Sequence, residues 1–123
     1  MNIIEILKEH SDELGEGIDA VKIKDLEARL DITLPEDFKN YLLNLNYAEL
    51  YGDPIYGISP ENDLIDLYSN NKDKEHFNNG FLEIFANDID GLVYLRPDTG
   101  SVYIDFKEPA AKSFTEFVER VLQ

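Results

Sequence analysis

The spacing of apolar residues changes along this chain, and the change restricts the folds open to it. In the first third, apolar positions recur at intervals of three and four. Ile3, Ile4, Leu7 and Leu14 fall largely on one helical face, and Gly15 and Gly17 follow where glycine ends a helix. Ile23, Leu26 and Leu30 repeat the spacing and predict a second short helix. Pro35 predicts the opening of a third. Its fixed φ suits a first turn, and Glu36 and Asp37 follow where the helix dipole favours negative charge. Phe38, Tyr41, Leu42 and Leu45 supply the apolar stripe of that helix.

The second half has another rhythm. FLEIFA (81–86), LVYLR (92–96) and SVYIDF (101–106) are rich in β-branched and aromatic residues and predict strands. In the last of them Val102, Ile104 and Phe106 alternate with Tyr103 and Asp105, which predicts one buried face. NDIDG and RPDTG separate the strands with turn residues: Asn and Asp to bond nearby backbone, glycine for positive φ. The chain closes on KSFTEFVERVL, where Ser113 and Glu116 match a capping box and Phe114, Phe117, Val118 and Val121 form a helical stripe. Between the halves, YGDPIYGIS (51–59) predicts a turn with one or two short strands. SPENDLIDLY (59–68) reads as a helical turn opened by Ser59 and Pro60 or as the start of a strand, and SNNKDKEHFNNG (69–80) as an exposed loop. Helices, then an antiparallel meander, then a helix: this is an α+β pattern, expected as a single domain over residues 1–123.

Charge narrows the function. Against 26 Asp and Glu stand 11 Lys and Arg, a formal charge of −15. A nucleic-acid binder needs a basic footprint, and an anionic membrane surface would repel this chain, so neither is expected as a partner. A basic protein partner would be attracted and captured faster, although acidity also serves solubility alone. There is no Cys, hence no disulfide or thiol chemistry. The N-terminus mixes Glu5, Lys8 and Glu9 with its apolar residues, unlike a signal peptide, and no apolar run reaches membrane-spanning length. A soluble cytoplasmic protein is expected.

No catalytic, cofactor-binding or metal-ligating set emerges. Asp88, Asp90 and Gly91 resemble the start of a calcium loop, but Leu92, Val93 and Thr99 stand where further ligands and the loop glycine belong. His10 and His76 have no ligand spacing, no serine lies in a nucleophile elbow, and no glycine-rich phosphate loop is present. The stretch NYAELYGDPIYGISPENDLIDLYSNN (46–71) is more informative. It sets tyrosines among acids and contains no Lys or Arg, the composition of a surface for a basic partner. The candidate partner-binding residues are Tyr47, Glu49, Tyr51, Asp53, Tyr56, Glu61, Asp63 and Asp66, with Asp88 and Asp90 from the meander turn. Any one of these tyrosines also fits a core position with its hydroxyl at the surface.

IKDLEARLDITLPEDFKNYLLNLN (23–46) resembles the opening signature of the SUKH superfamily, which includes fungal cell-wall assembly regulators and bacterial immunity proteins. The matching residues are Glu27, Leu34, Pro35, Glu36, Asp37, Phe38 and Lys39. YGISPENDL, FANDIDGLVYLRPDTGSVYIDF and SFTEFVERVL follow in the family's order. One position departs from the pattern: Tyr47, not glycine, follows Asn46. The resemblance implies N-terminal helices and a C-terminal helix packed against a mainly antiparallel sheet, and no catalytic machinery. It implies an intracellular immunity protein that binds and neutralises a secreted toxin domain, with a basic nuclease as one possibility, or alternatively a non-enzymatic regulator or scaffold with an endogenous partner.

Overall fold

Apolar stripes become helices here because each has a surface to bury against. A computed structural model describes residues 2–122. The N-terminal helices are α1 (Ile3–His10), α2 (Ala20–Leu30) and α3 (Glu36–Asn44). Ile23, Leu26 and Leu30 of α2 and Phe38, Tyr41 and Leu42 of α3 are buried, as their spacing predicts. The first helix is shorter than expected. It ends at His10, and Leu14 lies outside it, 42% exposed. The cause is long-range: the Ser11 hydroxyl donates to the Glu49 carbonyl (3.1 Å) and accepts from the Glu49 N–H (2.9 Å), drawing the chain out of the helix.

The signature residues of the α2–α3 corner are spent on the fold. Glu27 Oε2 accepts the Leu34 N–H at 2.7 Å and lies 3.7 Å from the Lys39 ammonium, closing the step into Pro35. Asp37 Oδ1 accepts its neighbour Phe38 N–H (2.9 Å), and Oδ2 accepts both the N–H (2.9 Å) and the hydroxyl (3.0 Å) of Thr115. Thr115 belongs to the C-terminal helix α6 (Phe114–Val121), so one carboxylate ties two helix starts together. Beneath this tie Phe114 meets Phe38 edge-on, ring centres 4.9 Å apart, and both are fully buried. Tyr41 beside them donates its hydroxyl to the Ile55 carbonyl at 3.1 Å, and burial raises its pKa far above the ordinary tyrosine range.

The sheet has the antiparallel order β3 (Leu82–Asn87), β4 (Gly91–Leu95), β5 (Val102–Tyr103), β6 (Pro109–Ala111). Its register pairs Leu82 with Leu95 and Leu95 with Val102, which places these buried residues on one face. Glu83, Tyr94 and Tyr103 are paired on the other. A separate hairpin joins β1 (Glu49–Leu50) to β2 (Asp53–Pro54). Together with the six helices found among the described residues, these sheets make an α+β fold.

Three further expectations are corrected. The strand expected over 101–106 stops at Tyr103, and Phe106 is 54% exposed rather than buried. Asp105 breaks the strand: its carboxylate accepts the N–H of Lys107 (2.9 Å) and Glu108 (3.3 Å), turning the chain into β6, an edge strand that opens on Pro109. The polar run 69–80 is not a loop but the end of α4 (Leu67–Asn71) followed by α5 (Glu75–Asn78). Asn71 is fully buried and takes the place of a strand partner, accepting the Glu83 N–H (2.7 Å) and donating to the Glu83 carbonyl (3.0 Å). Finally, only half of the capping box forms. Ser113 accepts the Glu116 N–H at 3.1 Å, but the Glu116 carboxylate turns to Arg120 at 2.9 Å. Among the described residues no helix is long and apolar enough to cross a membrane.

Candidate protein-binding site

Residues 46–58 form a closed excursion from the end of α3. Asn46 adopts φ 56°, the left-handed conformation that lets a helix stop without glycine, which accommodates Tyr47 after it. Its side chain then clamps the far end, accepting the Ile58 N–H (2.9 Å) and donating to the Ile58 carbonyl (3.0 Å). Gly57 lies against Asn46, where a Cβ would fall 2.1 Å from the Asn46 carbonyl oxygen. Between these ends the β1–β2 hairpin turns on Tyr51 (φ 52°) and Gly52 (φ 87°), the two positive φ values that a type I′ turn requires. Asparagine or glycine normally takes the first of these positions. A tyrosine there is held in a sparsely populated conformation, with its side chain at the hairpin tip, 72% exposed.

The excursion docks on the sheet. Ile55 bridges Phe85 of β3, and the Tyr56 N–H donates to the Ile84 carbonyl at 2.8 Å. Docking sets the hairpin beside the β3–β4 turn. There Asn87 Oδ1 accepts the N–H groups of Ile89 (2.9 Å) and Asp90 (2.6 Å), and Gly91 takes φ 77°. This is the turn that NDIDG predicts. It lifts Ile89, 93% exposed, between Asp88 and Asp90.

Hairpin and turn frame a hollow of about 640 Å³. Tyr51, Asp53, Asp88, Ile89 and Asp90 line it, and Leu50, Phe85, Phe117 and Val121 give it apolar walls. Among the described residues the carboxylates of Asp53, Asp88 and Asp90 accept no hydrogen bond from the chain, so they remain free for an incoming donor. The basic residue of the hollow is Arg120, whose guanidinium is engaged by Glu116 and by the Ala110 carbonyl. Negative potential therefore dominates the site. Groups of three or more His, Asp or Glu that would hold a metal ion do not occur among the described residues.

The other candidate residues divide by burial. Tyr56 is buried and donates to Glu83 Oε2 at 2.6 Å; burial first, and Glu83 second, raise its hydroxyl pKa well above the usual range. Asp66, 4% exposed, accepts the Ser59 N–H (2.8 Å) and the Ser69 N–H (3.0 Å), capping α4. Both hold the segment's shape from inside and offer no surface. Tyr47 donates to Glu49 Oε2 at 2.9 Å, and its hydroxyl is pushed up to about 12, by burial first and then by Glu49. Glu61 and Asp63 are exposed on the following turn, away from the hollow. Ile89 and Arg120 were not among the sequence candidates. An isoleucine between two aspartates of a turn was a readable signal for the first, whereas nothing local marks an arginine on the last helix.

The family model for SMI1/KNR4 (SUKH-1) matches residues 17–120. The chain belongs to this family. The SUKH-1 match takes in the α2–α3 corner, the hairpin, the β3–β4 turn and most of α6, hence every part of the hollow except Val121. Membership is consistent with an immunity or regulatory protein. No curated protein matches the chain.

Proposed function

We infer that this SUKH-1 protein acts by binding, and that the hollow between the hairpin and the β3–β4 turn anchors a basic protein partner. The observation that carries this reading is convergence. Tyr51 and Asp53 meet Asp88 and Asp90 from a distant part of the chain, around apolar walls and with their carboxylates free. An aromatic tip, an exposed isoleucine and unpaired acids around apolar walls are the parts of an interface hot spot for an arginine or lysine. A specific interface buries roughly 1,200–2,000 Å², more than such a hollow supplies. Tyr47 and Glu49 therefore belong to its rim, while Glu61 and Asp63 add to the field that steers a cationic partner inward.

Within the family the partner class that best suits this charge is a toxin domain with a basic active site, such as a nuclease, neutralised one-to-one by occlusion inside the cell. Where a toxin domain is encoded beside this chain, co-expression with it tests the reading. The expected result is a 1:1 complex and survival of the host cell, with both lost when Asp53, Asp88 and Asp90 are changed together to lysine. Unchanged affinity in that variant would sink the assignment of the hollow. Affinity that does not fall with added salt would remove the steering.

A further inference from the structure

We propose that the outer face of the four-stranded sheet carries a second receptor, an aromatic hollow that takes an arginine side chain of a protein partner. The hollow measures about 630 Å³ and is lined by Glu75, His76, Asn79, Phe81 and Phe106. It shares no lining residue with the hairpin hollow.

Its walls follow from the early break in β5. Because the chain leaves the sheet at Tyr103, Phe106 folds back over the outer face instead of entering the core. Its ring centre lies 4.8 Å from Phe81 and 4.8 Å from Tyr94, and Phe81 meets Tyr103 edge-on at 5.2 Å. Phe106 is the exposed ring of this array, 54% open to solvent, and aromatic rings attract cations. The chain itself supplies a precedent. The Arg96 guanidinium lies 5.0 Å from the centre of the Phe81 ring, in a neighbouring hollow with Gly80 and Asp98.

Acids add charge complementarity. Glu75 is exposed and lines the hollow, with no Lys or Arg among the lining residues. Lys74 and Lys107, adjacent in sequence to Glu75 and Phe106, stay outside the lining. Behind His76 lies Glu83, its side chain 9% exposed. Glu83 Oε2 accepts the Tyr56 hydroxyl, whereas Oε1 accepts no hydrogen bond among the described residues; His76 Nε2 stands 4.0 Å from it. The imidazole is oriented by Asn71. Since Asn71 Oδ1 accepts the Glu83 N–H at 2.7 Å, it is an acceptor toward His76 as well, and His76 Nε2 at 3.1 Å is the donor. A buried carboxylate with an open oxygen thus backs the one imidazole of the hollow. Arginine suits the site better than lysine because its plane stacks on phenylalanine while its N–H fork reaches a carboxylate.

The test is an NMR titration of the full chain with the blocked tripeptide Gly-Arg-Gly, against the same peptide with uncharged citrulline. The arginine peptide is expected to move the ring signals of His76, Phe81 and Phe106 saturably, and the citrulline peptide to bind about 3–5-fold more weakly. Phe106→Ala and Glu75→Gln, both at exposed positions, are each expected to weaken the arginine peptide about 2–5-fold, whereas Asp88→Asn leaves these signals unchanged. Equal binding of the two peptides, or shifts confined to Tyr51 and Ile89, would overturn the proposal. The latter outcome would leave the hairpin hollow standing.

Discussion

In the α2–α3 corner Glu27 Oε2 and both oxygens of Asp37 are engaged by backbone N–H groups, a hydroxyl and an ammonium. Asp53, Asp88 and Asp90 around the hairpin hollow accept no hydrogen bond within the chain among the described residues, and Asp88 and Asp90 stand exposed. The residues are carboxylates in both places. What differs is the backbone around them. In the corner two helix starts present unsatisfied N–H groups, which a carboxylate neutralises and so fastens the fold. At the rim the turns satisfy themselves: Asn87 serves its own turn, and the hairpin closes through positive φ at Tyr51 and Gly52. Their acids are left over for a partner. Glu27 and Asp37 belong to the family's opening signature, and residues spent in this way report architecture more directly than they report the ligand.

The contrast can be broken experimentally. Changing Asp53, Asp88 and Asp90 together to lysine is expected to cost about 3–4 kcal/mol of partner affinity by setting like charges against each other, with the melting temperature nearly unchanged; calorimetric titration beside thermal melts reads both. Asp37→Ala is expected to do the opposite. Loss of three hydrogen bonds and a tie to α6 should lower stability by about 2–3 kcal/mol, while affinity measured below the melting transition stays within about twofold. If Asp37→Ala weakened binding as strongly as the lysine triple, the division between corner and rim would fail. Tyr51→Asn sharpens the comparison at one residue. An Asn-Gly turn relieves the positive φ and should raise stability by about 0.5–1 kcal/mol, while loss of the ring weakens the partner about tenfold or more. A variant both less stable and equally tight would show that Tyr51 serves the fold.

The smallest expected effect concerns Asp98, whose carboxylate is held below its usual pKa by the Arg96 guanidinium at 3.0 Å. A lowered folded-state pKa stabilises the protein above the unfolded pKa, and that contribution disappears as pH falls through the folded value. The pair is largely solvent-exposed, so Asp98→Asn should flatten the acid limb of stability by only a few tenths of a kcal/mol, read from urea melts between neutral pH and the carboxylate range. A larger change would mean that the pair braces the turn at Pro97.

Local patterns were legible from the start. The stripes of α2, α3 and α6 are written at intervals of three and four, and a helix buries such a stripe wherever it finds a core. The turn at NDIDG follows from residues that satisfy their own backbone, and a turn with one or two short strands is readable within 51–59. Other features could not be read locally. Leu14 continues the stripe of α1, yet Ser11 is drawn away by Glu49. Phe106 keeps the alternation of Val102, yet Asp105 turns the chain before it can enter the sheet. Asn71 sits in a polar run and becomes fully buried because Glu83 needs a backbone partner.

The amino-acid sequence alone determined the helical stripes, the turns and the excess of acid, because these depend on neighbours within one or two turns of chain. Only the tertiary structure decided which acids face outward, that Tyr56 and Asp66 turn inward, and that Tyr51 and Asp53 meet Asp88 and Asp90. Those outcomes depend on the bridges between Ile55 and Phe85 and between Gly57 and Asp66, pairings that no local periodicity encodes.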